Sequence, residues 1–140
     1  MTDAATRVAP SREDVIARLP AQLQRRREEL AAALSAHLHH DSGGEHAEAA
    51  LPRRAEETDD DAAAETARER DLADLARLTA ELAQVDSALA RARLGQIGEC
   101  DDCGEPIDGA RLLVNPAAAR CAECQEFAEQ RQARARLRGR

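Results

Sequence analysis

Two stretches of the chain carry apolar side chains at alternating spacings of three and four residues. This spacing places the side chains on one face of an α-helix and is typical of a coiled-coil seam. In the first stretch these positions are Val15, Ile16, Leu19, Leu23, Leu30, Leu34 and Leu38. In the second they are Leu75, Leu78, Leu82, Val85, Leu89 and Ala92. The pattern therefore predicts two long amphipathic helices.

Proline and glycine suggest where the first helix starts and stops. Pro20 interrupts the apolar pattern, and proline is tolerated at the first position of a helix. We therefore expect either a kink at Pro20 or a main helix from about Pro20 to His40. Gly43 and Gly44 mark its end, and the polar stretch 41–57 predicts a loop.

Two helices joined by a glycine-containing loop most simply fold back as an antiparallel hairpin. An ordinary helical bundle or an intermolecular dimer is the alternative interpretation of the same leucines. A cluster of carboxylates occupies the start of the second helix, which the hairpin would place at its tip. The cluster comprises Glu56, Glu57, Asp59, Asp60, Asp61, Glu65, Glu69, Asp71 and Asp74. Acidic residues also favour a helix N-terminus because of its dipole, so a purely structural role remains open.

Four cysteines form two Cys-x-x-Cys pairs, Cys100 with Cys103 and Cys121 with Cys124. Two intervening residues let one tight turn direct both sulfurs at a single ion, and four thiolates complete a tetrahedral zinc site. Two disulfides or a redox pair are the alternatives. No secretory apolar stretch occurs in residues 1–10, and no βαβ pattern accompanies the cysteines. We therefore predict one structural Zn²⁺ and a cytoplasmic location.

Composition limits the size of the core and the class of function. Of 140 residues only 1% are aromatic, 34% are charged, and the net charge is −7. These values predict long exposed helices without a thick core, and they disfavour a general nucleic-acid-coating surface. No apolar run approaches the roughly 18 residues that span a bilayer, so no membrane association is expected. A closed zinc site without a nucleophile or phosphate loop also predicts that the chain is not an enzyme.

The C-terminal segment is rich in arginine. Residues 125–137 are predicted to form a shorter third helix, with Phe127 as its only large anchor onto the zinc module. The arginines are Arg131, Arg134, Arg136, Arg138 and Arg140. An alternative function follows from them, in which the zinc module and the Arg-rich tail bind nucleic acid directly.

The cysteine-containing segment resembles the DksA/TraR C4-type zinc-finger family. The matching residues are Gly95, Ile97, Gly98, Cys100, Cys103, Gly104, Ile107, Arg111, Leu112, Pro116, Cys121 and Cys124. The resemblance implies bacterial transcription regulators that recognise no promoter sequence. They insert a coiled coil into the secondary channel of RNA polymerase and bring acidic tip residues near the catalytic centre. RNA polymerase is thus the expected partner.

The resemblance also implies roles for individual residues. The tip motif of the family falls on Glu57, Asp60 and Ala62, and Arg77 occupies the position of an arginine that contacts the rim of the channel. Three uncharged residues stand where family members carry basic residues for guanosine tetraphosphate, so dependence on that nucleotide is not expected. These residues are Gln84, Asn115 and Gln125.

These inferences define an all-α fold with four parts. Residues 1–10 are expected to be disordered, and residues 11–95 to form a long antiparallel coiled-coil hairpin with its acidic tip near 57–62. Residues 96–127 form a small zinc-finger module with four cysteine ligands, and residues 128–140 an Arg-rich C-terminal helix or tail. We expect a monomer.

Overall fold

The architecture comes from a computed structural model that describes residues 8–44 and 58–139, with side chains described for 8–39 and 60–139. The described residues form four helices, α1 (Arg12–Gly44), α2 (Thr58–Arg93), α3 (Gly109–Val114) and α4 (Ala122–Arg138). Within these ranges no strand occurs, only an isolated antiparallel bridge between Glu99 and Pro106. The all-α fold class is confirmed. Helix α1 continues to Gly44, so the expected helix end near His40 and the expected loop at 41–44 are wrong. The rest of that loop, 45–57, and residues 1–7 of the segment expected to be disordered fall outside the described residues.

Helix α1 passes through Pro20, so of the two alternatives the one in which the main helix begins at Pro20 is wrong. The helix begins at Arg12, directly after Ser11, whose hydroxyl accepts a hydrogen bond from the Asp14 N–H at 3.2 Å. A proline inside a helix costs about 3 kcal/mol. Leu19 and Leu23, on either side of Pro20, are almost fully buried. Burial of such a side chain contributes about 1.5 to 3 kcal/mol each, which offsets the cost of the proline.

Residues 25–86 form one compact unit in which α1 and α2 run antiparallel. Arg26 Nε lies 2.7 Å from Glu81 Oε1, whereas Leu38, further along α1, shares a groove with Leu72, earlier along α2. Because ion pairs this exposed contribute about 0 to 1 kcal/mol each, burial of seam residues such as Leu30 and Val85 provides most of the stability. The predicted hairpin is therefore present in this unit.

The second compact unit contains residues up to 24 together with residues 87–140. Its core is small and draws on every segment: the start of α1, the end of α2, the cysteine-containing loops, α3 and α4. The buried apolar residues are Val15, Leu19, Leu23, Ala88, Leu89, Ile107, Leu112, Ala118 and Ala128. The thin core agrees with the alanine-rich composition.

Leu19 offers a test of this small core. Leu19→Ala is expected to lower the free energy of unfolding by about 3 kcal/mol, because it removes a side chain with no exposed surface. Leu72→Ala is the matched control, since Leu72 is 66% exposed and the same change there should shift stability by less than about 1 kcal/mol. Urea unfolding followed by circular dichroism measures both. Equal losses in the two variants would contradict the assignment of Leu19 to the core.

Helix α4 differs from its prediction in two respects. It begins at Ala122, at the second cysteine pair, and continues to Arg138. Phe127 is 60% exposed and does not anchor the helix, so that expectation is wrong. Ala128 is the buried residue of α4 instead.

Candidate metal centre and partner-binding residues

The ligand atoms of Cys100, Cys103, Cys121 and Cys124 all lie within 4.8 Å of one another. Cys103 Sγ and Cys121 Sγ are 3.9 Å apart, far beyond the roughly 2.05 Å of a disulfide bond. Four sulfurs at about 2.3 Å from one tetrahedral ion would be separated by about 3.8 Å. The cluster therefore fits one structural Zn²⁺, which completes its coordination with protein thiolates.

The first cysteine pair lies in a tight turn between α2 and α3. The Cys100 N–H donates to the Glu105 carbonyl at 2.9 Å, and the Gly104 N–H donates back to the Cys100 carbonyl at 2.9 Å. Gly104 has a φ of +76°, a left-handed conformation that a residue with a Cβ adopts at a cost. These hydrogen bonds close the turn so that Cys100 and Cys103 face the same point.

The second cysteine pair opens helix α4. Cys121 is the N-cap residue, and its Sγ accepts a hydrogen bond from the Cys124 N–H at 3.5 Å. The positive end of a helix dipole stabilises a thiolate at this position. The Asp101 N–H donates to the Ala119 carbonyl at 2.8 Å, which joins the backbone of the two cysteine loops.

The thiols show opposing shifts in pKa. The pKa of Cys100 is lowered to about 6: burial acts to raise it, but hydrogen bonds from the backbone of Cys103, Cys121 and Asp102 stabilise the thiolate and prevail. The pKa of Cys124 is raised, first by its hydrogen bond to Cys121 and then by its contact with Cys100. Thiols packed this closely cannot all ionise without a cation among them. A bound Zn²⁺ supplies that charge.

Two arginines connect the cysteine loops through a carboxylate and a backbone carbonyl. Arg120 Nε lies 2.8 Å from Asp102 Oδ2, so the residue before Cys121 pairs with a residue inside the first cysteine turn. Arg111 Nε donates to the Arg120 carbonyl at 3.0 Å. Both contacts hold the two cysteine pairs in register.

Arg12 and Arg91 fix the cysteine loops to the long helices and were not anticipated from the sequence. Arg12, at the start of α1, donates from Nη2 to the Gly98 carbonyl at 2.8 Å and from Nε to the Ile107 carbonyl at 3.0 Å. Arg91, near the end of α2, donates to the Ala117 carbonyl at 3.4 Å. In the sequence, the one hint of a role for Arg12 is its position at a helix N-terminus, where the helix dipole disfavours a positive charge.

Gly98 is the point of closest approach between the first cysteine loop and α1. Its φ is +86°, and a Cβ there would lie 3.0 Å from Ile16 Cδ1 and 3.3 Å from Arg12 Nη2. Gly98→Ala should therefore lower the free energy of unfolding for two reasons. A left-handed residue with a Cβ costs roughly 1 to 2 kcal/mol, and the added methyl group displaces Ile16 and Arg12.

Gly95 supplies the matched control, because its φ is +71° but a Cβ would meet nothing within 4 Å. Gly95→Ala should lower the free energy of unfolding only by the cost of the left-handed conformation, about 1 to 2 kcal/mol. Gly98→Ala should lower it by about 2 to 4 kcal/mol. Thermal unfolding of the zinc-bound variants measures the difference. Identical melting temperatures would show that Ile16 and Arg12 yield to the added methyl without cost.

Three of the four residues expected to contact a partner, Asp60, Ala62 and Arg77, lie on α2. Asp60 and Ala62 are exposed in its first turns, and Glu57 lies outside the described residues. Arg77 is exposed and its Nη2 donates to Asp74 Oδ1 at 2.8 Å. Arg77 follows Ala62 by about 22 Å along α2, so the structure does not bring them together. Their roles remain predictions.

The uncharged residues at the nucleotide positions are accessible to different degrees. Gln84 and Asn115 are exposed, and Gln125 is half-buried with its Nε2 donating to Glu129 Oε1 at 2.9 Å.

No helix in the described part of the chain is long and apolar enough to cross a membrane.

Known proteins are similar to this chain. A family model described as prokaryotic dksA/traR C4-type zinc finger matches residues 95–130. Two curated relatives, from the NA1000/CB15N and ATCC 19089/CB 15 strains of Caulobacter vibrioides, are each described as RNA polymerase-binding transcription factor DksA. Each is 38% identical over 73 residues, which cover 52% of this chain and 51% of the relative. The chain thus spans about half the length of the curated relatives it matches.

A solved structure extends the similarity over most of the chain. The transcription factor DksA2 from Pseudomonas aeruginosa superposes with a TM-score of 0.67 and 31% identity, covering 86% of this chain and 88% of that one. Similarity at this coverage includes the helical hairpin as well as the cysteine loops. The chain belongs to the DksA/TraR family of C4-type zinc-finger proteins.

Proposed function

We propose that this protein binds bacterial RNA polymerase and regulates transcription initiation. The observation that carries the proposal is the match to the DksA2 structure over 86% of the chain. The curated relatives are described as RNA polymerase-binding, which supports the same partner. The protein acts in the cytoplasm as a monomer, and it acts by binding, without catalysing a reaction.

The hairpin is the part that enters the secondary channel of the polymerase. Contacts between α1 and α2 run from Arg26 with Glu81 to the segments 36–38 and 68–75, and the acidic start of α2 precedes those segments in the chain. Asp60 and Asp61 are exposed there. Carboxylates near a metal-dependent active centre can bind a cation, repel nucleic-acid phosphate or accept hydrogen bonds from a mobile protein loop. Each of these actions changes initiation without recognition of a DNA sequence.

The metal centre has a structural role in this function. A bound Zn²⁺ neutralises the four thiolates and joins the first cysteine turn to the start of α4. Arg12 and Arg91 then hold the long helices against those loops through the backbone carbonyls of Gly98, Ile107 and Ala117. Because four cysteines fill the tetrahedron, the ion offers no position for a substrate.

Direct binding to nucleic acid through the Arg-rich tail is the less favoured alternative. The curated relatives are described by their binding to polymerase, and the net charge of −7 opposes a general affinity for phosphate.

The test is co-purification of the full chain with RNA polymerase core enzyme, followed by crosslinking. A photo-crosslinking amino acid in place of Asp60 is expected to form an adduct with the large polymerase subunits that surround the active centre. The same amino acid in place of Arg93, near the other end of α2, is the control and should give a different adduct. Failure of the zinc-loaded wild type to bind core enzyme would refute the proposal.

A further inference from the structure

The hairpin unit carries an open apolar groove. It lies between α1 and α2, has a volume of about 500 Å³, and is lined by Leu38, Leu72 and Leu75 with Asp71 beside them. Leu72 is 66% exposed, although it is among the larger apolar side chains of the unit. Apolar patches bordered by polar residues mark sites of protein interaction. The groove is therefore a candidate docking site.

The side of α2 that carries Leu72 is acidic. Asp61, Glu65 and Glu69 precede Leu72 at spacings of four, four and three, so these side chains lie on one side of the helix. All of them are exposed. Arg68 pairs with Glu65 at 3.6 Å, whereas Asp61 and Glu69 have no ion pair within residues 8–44 and 58–139. An apolar groove with this border fits a helix that carries an apolar residue among cations.

The end of α4 has those properties. Leu137 is 75% exposed, and every described residue from 129 to 139 is exposed. Arg134 lies one turn before Leu137, and Arg138 follows it directly. Neither arginine has an ion pair in the part of the chain that the structure describes. One chain thus carries both an acidic apolar groove and a basic helix with an exposed leucine.

The spacings on the two helices also match. On α4, Arg134 precedes Leu137 by three residues, or about 4.5 Å along the axis. On α2, Glu69 precedes Leu72 by the same three residues. A parallel alignment that seats Leu137 in the groove therefore brings Arg134 opposite Glu69. Opposite charges in register fix the alignment of two helices as well as their affinity.

We infer that the end of α4 in one copy of this chain docks in the groove between α1 and α2 of a second copy. Leu137 enters the groove beside Leu72, and Arg134 pairs with Glu69. The contact is heterologous, so copies associate as a closed pair with both contacts formed or as short open chains. On the function proposed above, an associated copy withholds its hairpin from polymerase, and the monomer is the form that acts.

The test is sedimentation velocity of the full-length, zinc-loaded chain at about 5 to 500 µM and about 0.15 M salt, where the Debye length is about 8 Å and repulsion between whole copies is screened. The wild type should associate reversibly, with a midpoint of about 10 to 100 µM. Arg134→Glu and Glu69→Arg should each weaken association at least about tenfold, because each places like charges opposite one another. Arg136→Glu is the control. Arg136 lies about 200° around α4 from Arg134, and its reversal should change association by less than about twofold.

A mixing experiment tests the pairing directly. An equimolar mixture of the Arg134→Glu and Glu69→Arg variants contains one matched contact, between the altered α4 of the first and the altered groove of the second. The mixture should therefore associate within about threefold of the wild type, although each variant alone does not. Zinc content and helicity, measured for each variant, confirm that it is folded.

The outcomes separate this inference from the proposed function. A wild type that stays monomeric up to 500 µM overturns self-association, and association that survives both charge reversals overturns the docking surface. A mixture that fails to recover association overturns the pairing of Arg134 with Glu69. None of these measurements contains polymerase, so they leave its binding to the separate test. A wild type that associates as expected but does not bind core enzyme keeps the groove contact and refutes only the proposed function.

Discussion

Cys121→Ser is expected to abolish zinc binding and to unfold the unit formed by residues 87–140 with the start of α1. Structural zinc contributes about 10 to 16 kcal/mol to the folding of zinc-finger peptides, as much as the whole stability of a small domain. The residues between α2 and α4 have little else to hold them, since Ile107, Leu112 and Ala118 are their only buried apolar side chains apart from Cys100. Serine is itself a favourable N-cap residue, so the change keeps a cap on α4 and removes only the metal ligand.

Zinc content by mass spectrometry and thermal unfolding by circular dichroism measure the effect. Zinc should fall from about one ion per chain to near zero in the presence of a mild chelator. Removal of zinc from the wild type with a strong chelator should reproduce the variant, and addition of zinc should restore only the wild type. Glu105→Gln, an exposed change in the first cysteine turn that leaves its backbone carbonyl in place, is the control. A metal-free protein that melts at the wild-type temperature would show that packing alone maintains the cysteine loops.

The apolar spacing was sufficient to predict the long helices, because burial of one face is what stabilises them. Leu19, Leu23, Leu30 and Val85 are all buried where the pattern placed them on the seam. For α1 the rule about Pro20 left two starts of the main helix open, and the buried leucines on both sides of the proline decide for the helix that begins at Arg12. Tertiary burial outweighed the local preference.

The cysteine spacing predicted the metal centre for a similar reason. Two short Cys-x-x-Cys turns constrain the sulfurs locally, and one ion satisfies both turns, so few alternatives remain. Contacts between distant parts of the chain had no such signal. Arg12 and Ile107 are 95 residues apart, and their hydrogen bond depends on how the first cysteine turn meets α1. Phe127 was misassigned because the only aromatic residue of a chain is usually buried, whereas this one is exposed.

Substitution of the carboxylates Glu57, Asp59 and Asp60 is expected to abolish regulation while leaving polymerase binding intact. The variant combines Glu57→Gln, Asp59→Asn and Asp60→Asn, which removes three carboxylates without changing the size of the side chains. Asp60 is exposed, and exposed substitutions of this kind usually shift stability by less than about 0.5 kcal/mol. Combining the three makes the result independent of which of Glu57, Asp59 and Asp60 acts.

The transcriptional effect in a purified initiation assay should fall at least about tenfold, because charge at the active centre would be lost, whereas affinity for core enzyme should change by less than about threefold. Glu69→Gln is the matched control. It removes one exposed charge about 13 Å beyond Asp60 along α2, and regulation should be retained. Full regulation by the triple variant would exclude Glu57, Asp59 and Asp60 as the acting groups. Loss of both binding and regulation would instead make these carboxylates part of the docking contact.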